Sequence, residues 1–304
     1  MATVQLLNPN DMSSTDDWNT VVTATGANSV TITGPIYSAT FTGSFQFSGQ
    51  NISGTVTGAT QFKNGQAQIV FSGLSASAST LQTLVERDAD AVDIYSYLLR
   101  GNDTVTGSGG SDLLGGGAGN DSIDGGAGND VAFYSGKRAD YTVTKTGGSF
   151  TVVDRRGIDG TDTITNVERL QFTDTSLSFD ADGVAGDAYR LYQAAFNRAP
   201  DSGGLGFQID VLDKGAALSG VAGNFIASPE FQTTYGSLNN SAFVTQLYQN
   251  VLHRAPDAGG LAFHVGNLNN GMARADVLVG FSQSPENQAA LIGVISAGIS
   301  YATV

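Results

Sequence analysis

Residues 116–133 read GGAGNDSIDGGAGNDVAF. Six residues recur at a distance of nine: Gly116-Gly117-Ala118-Gly119-Asn120-Asp121, then Gly125-Gly126-Ala127-Gly128-Asn129-Asp130. Aspartate set in glycine suits neither a helix nor a strand interior, because both residues favour turns. The unit extends towards the N-terminus. Asp103, Asp112, Asp121 and Asp130 stand nine apart, each with a glycine two residues before it: Gly101, Gly110, Gly119 and Gly128. Two residues after each aspartate comes an apolar residue: Val105, Leu114, Ile123 and Ala132.

Each row therefore reads as a glycine turn followed by a short strand. Gly-Gly-x-Gly permits backbone conformations that other residues adopt at a cost, so the turn is tight and its carbonyls converge. The aspartate adds a hard anionic oxygen of the kind Ca²⁺ collects, six to eight at a time. Stacking the rows gives a parallel β-roll with an apolar interior and calcium between turns. A flexible Gly/Ser/Asp linker has the same composition, but not the strict phase or the inward apolar residue.

The pattern resembles the RTX nonapeptide family, GGxGxDxUx, a calcium-binding β-helix repeat. Rows 116–124 and 125–133 match in full, row 107–115 (GSGGSDLLG) lacks one glycine, and row 98–106 (LLRGNDTVT) keeps only its second half. The resemblance implies that an ion lies between turns two rows apart. Asp103 then faces Asp121, and Asp112 faces Asp130. The turn residues Gly101, Gly110, Gly117, Gly119, Asn120, Gly126, Gly128 and Asn129 complete the shells, for about two full Ca²⁺ sites. It also implies export from a Gram-negative bacterium through a type I secretion apparatus that reads a C-terminal signal. Calcium at extracellular concentration would then fold the roll after export.

Composition bears on the same question. The 304 residues carry 28 acidic and 14 basic side chains, a formal charge of −14. Such a chain repels nucleic acid and anionic lipid, and it also repels itself. With no cysteine there are neither disulfides nor thiolate zinc sites. No apolar run reaches the length of a transmembrane segment. The first residues, MATVQLLNPNDMSSTDDW, lack the basic region and apolar core of a cleaved signal peptide, which taken alone points to the cytoplasm.

A second, longer period occupies the C-terminal part. LYQAAFNRAPDSGGLGFQIDVLDKG (191–215) aligns with LYQNVLHRAPDAGGLAFHVGNLNNG (247–271), and ASPEF (227–231) with QSPEN (283–287), all at an offset of 56. Each unit reads as helix, Arg-Ala-Pro-Asp turn, a second helix closed by Gly215 or Gly271, then a third helix ending at Ser-Pro-Glu. Ser228 and Ser284 are positioned as N-caps of short final helices. This half resembles the tandem helical domain of unknown function 4214, a family without settled chemistry.

Elsewhere the pattern is that of strands. Residues 134–180 alternate (YTVTKTGGSFTVVD, GTDTITNVERLQFTD) and are expected to cap the open end of the roll. Residues 1–78 are also β-rich, with Tyr37, Phe41, Phe45 and Phe47 on one face; such a stripe suits a core, or else a sugar- or partner-binding surface. STLQTLVERDADAVDIYSYLL (79–99) reads as a helix leading into the first row. The expected fold class is multidomain β plus α. Residues 1–97 form a β domain ending in a helix, 98–180 the calcium roll with its cap, and 181–304 a helical repeat domain.

Catalytic signatures are missing. There is no HExxH zinc motif and no GxSxG nucleophile elbow. The two histidines, His253 and His264, fall where the first unit has Asn197 and Gln208, which assigns them to turn and surface hydrogen bonding. In Arg198-Ala199-Pro200-Asp201 and Arg254-Ala255-Pro256-Asp257 the aspartates are expected to cap the next helix and the arginines to pack over the turn. Glycosidase carboxylate pairs are set by tertiary geometry, and nothing in the sequence supports them. The expectation is a secreted, non-enzymatic, calcium-stabilised structural or adhesive cell-surface protein, of surface-layer, matrix or adhesin type. Surface polysaccharide or lipopolysaccharide, or further copies of the chain in an oligomer or filament, would be its partners. A secreted hydrolase with an N-terminal β catalytic domain is the alternative.

Overall fold

In the computed structural model, residues 1–8, 21–33, 37–87 and 91–303 are described. Residues 9–20, within the N-terminal stretch read above, and the centre of the expected 79–99 helix, 88–90, lie outside them. The chain divides into two compact units, Met1–Thr173 and Asp174–Val304.

The first unit opens with strands β1 (Thr3–Leu6), β2 (Val21–Gly26), β3 (Ser29–Thr33), β4 (Tyr37–Ser48), β5 (Asn51–Lys63) and β6 (Gln66–Ser77), then helices α1 (Ala78–Glu86) and α2 (Ala91–Leu98). The alternation that marks half-buried strands is seen in β3 and in parts of β4, β5 and β6, where core and exposed residues interleave. The Ser77 side chain caps α1, which buries Ala78, Leu81 and Val85. Beside the aromatic stripe of β4 the register with β5 shifts between Thr42 and Gly43, where Thr57 of β5 is the extra residue. Phe41 and Phe45 are core, while Phe47, 42% exposed, is not.

The rows follow as β7 (Thr104–Thr106), β8 (Leu113–Leu114), β9 (Ser122–Asp124) and β10 (Val131–Phe133). Strands two rows apart pair in parallel, β7 with β9 and β8 with β10. A hairpin, β11 (Tyr141–Thr146) and β12 (Ser149–Asp154), leads to β13 (Thr161–Thr165), which pairs in parallel with β9. β14 (Arg169–Gln171) pairs in parallel with β10. β1 joins this stack from the other side, parallel to β7 and antiparallel to β6. One sheet of eleven strands, β11-β12-β13-β9-β7-β1-β6-β5-β4-β3-β2, thus runs across residue 97, where the sequence suggests a domain boundary. The inward residues Val4, Val105, Ile123 and Ile164 form one apolar ladder and Leu114, Ala132 and Leu170 a second, all buried.

The second unit holds β15 (Ser176–Ser178), eight helices and β16 (Ile299–Tyr301), the two strands pairing antiparallel. The helices are α3 (Val184–Phe196), α4 (Ser202–Asp213), α5 (Leu218–Ala227), α6 (Pro229–Tyr235), α7 (Asn240–Val251), α8 (Ala258–Asn269), α9 (Arg274–Ser282) and α10 (Pro285–Ile295). The second four repeat the first at the offset seen in the sequence, and both sets share a core that includes Leu191, Phe225, Phe231, Leu247 and Phe281. Gly215 and Gly271 adopt positive φ (90° and 96°) just beyond α4 and α8, the left-handed stop that glycine supplies most cheaply.

Candidate metal centre

The four row aspartates line up in two columns along the stack. In one, the Asp103 N–H donates to Asp121 Oδ1 at 2.7 Å. In the other, the Asp112 N–H donates to Asp130 Oδ1 at 2.8 Å. The expected pairs, Asp103 with Asp121 and Asp112 with Asp130, are therefore neighbours. The columns continue past the rows: the Asp121 N–H donates to Asp162 Oδ1 at 2.9 Å and the Asp130 N–H to Glu168 Oε2 at 2.8 Å. At the opposite end the Ala2 N–H donates to Asp103 Oδ1. Among the described residues no further carboxylate follows Asp103 in its column, where Ala2 takes the next position. A cavity of 240 Å³ lies there instead, lined by Met1, Ala2, Tyr97, Arg100 and Asp103 among others.

The turns show why glycine recurs. Gly119 has φ +135°, and a Cβ there would lie 1.8 Å from the Gly101 carbonyl oxygen in the row beneath. Gly101, Gly117, Gly126 and Gly128 likewise have positive φ. Asn120 and Asn129 tie one row to another: the Asn120 N–H donates to Asn102 Oδ1 at 2.9 Å, Asn120 Oδ1 accepts from the Thr161 N–H at 2.8 Å, and the Asn129 N–H donates to Ser111 Oγ at 3.1 Å. Gly110 donates its N–H to Ser108 Oγ at 3.2 Å.

The second carboxylate oxygens carry the chemistry. Oδ2 of Asp103, Asp121 and Asp130 is buried without a hydrogen-bond partner. Asp121 is 3% exposed and Asp130 fully buried. A buried anion with one unsatisfied oxygen is costly unless a cation meets it. Burial, followed by repulsion from Asp103 and Asp159, pushes the Asp121 carboxyl up to about 7, although the Asp103 N–H opposes the rise. Asp130 is pushed up to about 6 by burial and by Asp112, Glu168 and Asp124. Asp162 is pushed up to about 7 by burial and by Asp121.

An oxygen-only donor set of paired carboxylates beside glycine turns fits Ca²⁺, which takes flexible oxygen shells. It does not fit zinc, which prefers nitrogen and sulfur. Among the described residues no three His, Cys, Asp or Glu side chains converge as a metal cluster, so a bound ion would draw on carboxylate pairs and backbone carbonyls.

A different arrangement satisfies the charges beside the stack. Arg156 bonds Asp154 through Nε and Nη2, both at 3.0 Å, and the Tyr141 hydroxyl at 2.6 Å. Burial would raise the Asp154 carboxyl, but Arg156 and the N–H groups of Arg156, Ile158 and Asp159 hold it well below the ordinary range. In the helical unit, Asp201 and Asp257 cap α4 and α8 by accepting from Gly204 and Gly260 at 2.7 and 2.8 Å. Arg198 and Arg254 lie over the Tyr192 and Tyr248 rings and pair with Glu230 and Glu286. Asn197 and His253 both hold left-handed turns (φ 52° and 53°), and His264 packs on Phe281 with its pKa lowered by burial. The cavity between β3–β5 and α1 is about 20 Å³ and is lined by apolar residues and Gln82, with no carboxylate.

Comparison with known families agrees with this division. Residues 99–132 match the RTX calcium-binding nonapeptide repeat, four copies, and residues 222–291 match the domain of unknown function DUF4214. No curated protein matches the chain. Among solved structures, the extracellular lipase LipA from Serratia marcescens is similar at 20% identity over 26% of this chain and 15% of that one, with a TM-score of 0.17. So slight a likeness, over a small part of the lipase's length, carries nothing about activity. The carboxylate columns and the helical repeat thus belong to a chain that carries RTX calcium-binding repeats followed by a DUF4214 domain.

Proposed function

We propose that this is a secreted, non-catalytic protein whose strand stack is a calcium-stabilised parallel β-roll, and that it serves as a structural or adhesive component at the surface of a Gram-negative bacterium. The observation that supports it is the unpartnered Oδ2 of Asp103, Asp121 and Asp130 inside the stack. Calcium would supply the missing positive charge. Asp103 with Asp121, and Asp112 with Asp130, would hold it together with carbonyls of the glycine turns. Export through a type I apparatus suits a chain that completes its fold only where calcium is abundant. Surface polysaccharide or lipopolysaccharide is the partner this reading assigns, with the helical repeats as the anchor.

The test uses the full chain. Calcium should raise the thermal transition of the β signal and permit retention on isolated surface polysaccharide, and chelation should reverse both. A transition indifferent to chelator overturns the calcium reading. Calcium-loaded protein that neither binds surface material nor assembles overturns the surface role.

A further inference from the structure

The nonapeptide rows are not the last turns of the stack. After the β11–β12 hairpin the chain returns twice, as β13 beside β9 and as β14 beside β10, both parallel. Each return carries the row signature in altered form: Gly160-x-Asp162-x-Ile164 and Asn166-x-Glu168-x-Leu170. Ile164 and Leu170 are fully buried at the inward position. Asn166 stands where the signature has glycine and has a positive φ of 50°, in the left-handed region that asparagine tolerates best after glycine, whereas Gly101, Gly119 and Gly128 lie at φ 135°, 135° and 139°.

At the first return the backbone is laid down as in the rows. A Cβ at Gly160 would lie 2.0 Å from the Gly119 carbonyl oxygen, matching the close stacking of Gly119 on Gly101. At the second return a Cβ at Gly125 would lie 2.0 Å from the Asn166 carbonyl oxygen, so Asn166 sits over the first glycine of its row and the turn that leads to Glu168 is shorter than a row turn. Asp162 and Glu168 accept from the row beneath through the same backbone bond that Asp121 and Asp130 accept. What points to a ligand is the other oxygen: Asp121 Oδ2 and Asp130 Oδ2 are buried and unpartnered in the two rows that these returning turns cover.

We propose that the returning turns complete two further divalent-cation sites, one between Asp121 and Asp162 and one between Asp130 and Glu168. The stack then holds four ions, two from the nonapeptide pairs and two from these. The proposal rests on the calcium reading above. All donors are oxygen, so the class of ion is a hard cation with a flexible shell, calcium before magnesium. Glu168 is only half-buried, so its site is the weaker of the two. Because these ligands follow the hairpin, binding there also fastens the β11–β12 segment to the rows.

Calcium binding to the full chain, counted by equilibrium dialysis with metal analysis, tests the inference. Wild type should bind about four ions, Asp162→Asn and Glu168→Gln about three each, and the double variant about two. Wild type that binds only two overturns the inference and leaves the calcium reading standing, whether or not the variants fold. Variants that fold and keep the wild-type count overturn it as well. Wild type that binds none removes the calcium reading itself.

Discussion

The strand stack and the helical unit are both made of repeats, and both place charges at repeated positions, yet they balance them in opposite ways. In the helical repeats each arginine of the Arg-Ala-Pro-Asp turn meets a glutamate of its own repeat, Arg198 with Glu230 and Arg254 with Glu286. Even the buried Arg190 is satisfied, by Asp187, the Ala181 carbonyl and Gln283. The stack repeats one sign of charge only, and satisfies one oxygen of each carboxylate with a neighbouring N–H. A repeat that carries both signs is complete in itself. A repeat that carries one sign needs an ion from solution, which makes its stability a function of that ion's concentration.

The largest effect should come from removing the ion. Chelation of the full chain should abolish the cooperative β transition and expose the row turns to protease, while the helical circular dichroism survives. Loss of both signals together would mean that the helical repeats depend on calcium too, and the contrast would fail.

Next in size is pH. Without calcium, the folded stack retains protons on Asp121, Asp130 and Asp162 that the unfolded chain has released, so its stability falls as pH rises from the ordinary carboxylate range towards about 7. For Asp121 alone, a rise of about three units corresponds to ~4 kcal/mol. With calcium the sign reverses, because protons compete with the ion and acid destabilises. Tm of the β signal against pH, with chelator and with calcium, should give slopes of opposite sign; parallel curves would refute the unpaired-carboxylate picture.

How much of this was legible in the sequence follows from phase. The row aspartates and their inward residues repeat every nine residues, so pairing two rows apart could be read directly. Asp162 and Glu168 carry the same signature but follow their partners by 41 and 38 residues, because the β11–β12 hairpin intervenes. Searching for Gly-x-Asp-x-Ile without requiring a period finds the first; the second needs the knowledge that Asn166 can stand for glycine. That β1 closes the other end has no local signal at all, since Ala2 brings only a backbone N–H to Asp103. Phe47 keeps the phase of Phe41 and Phe45 but lies at the turn end of β4, beyond the reach of the core, and alternation alone does not show where burial stops along a strand. In the helical half the caps at Asp201, Asp257, Ser228 and Ser284 and the stops at Gly215 and Gly271 were readable, because they are short-range bonds fixed by adjacent residues, whereas the Asn239 cap of α7 lacks the Pro or Gly that marks the others.

Substitutions should then rank by position in a column. Asp121→Ala removes a carboxylate shared by the Asp103 and Asp162 pairs, whereas Asp112→Ala removes one at the end of its column, whose Oδ2 already accepts from the Ser108 N–H and Oγ at 2.7 and 2.9 Å. Asp121→Ala should lose about two ions and Asp112→Ala about one, with calcium-dependent stabilisation falling in that order. Equal losses would show that the columns do not share ligands.

The smallest effect belongs to the helical side and checks the contrast from there. Ser284 Oγ accepts from the Asn287 N–H at 3.2 Å and donates to the Phe281 carbonyl at 2.9 Å, closing α9 and opening α10 with one side chain. Ser228 makes the same two bonds, to Phe231 and Phe225, at 3.3 and 2.6 Å. Removing an N-cap hydroxyl costs about 1 kcal/mol. Ser284→Ala should therefore lower the helical thermal transition by a few degrees at most, and by the same amount with calcium or with chelator, because neither bond involves a group that an ion would reach. Ser228→Ala should behave likewise, since its geometry is the same. A loss that grows on chelation would mean that the helical repeats draw stability from the calcium-loaded stack, and their self-sufficiency would have to be given up.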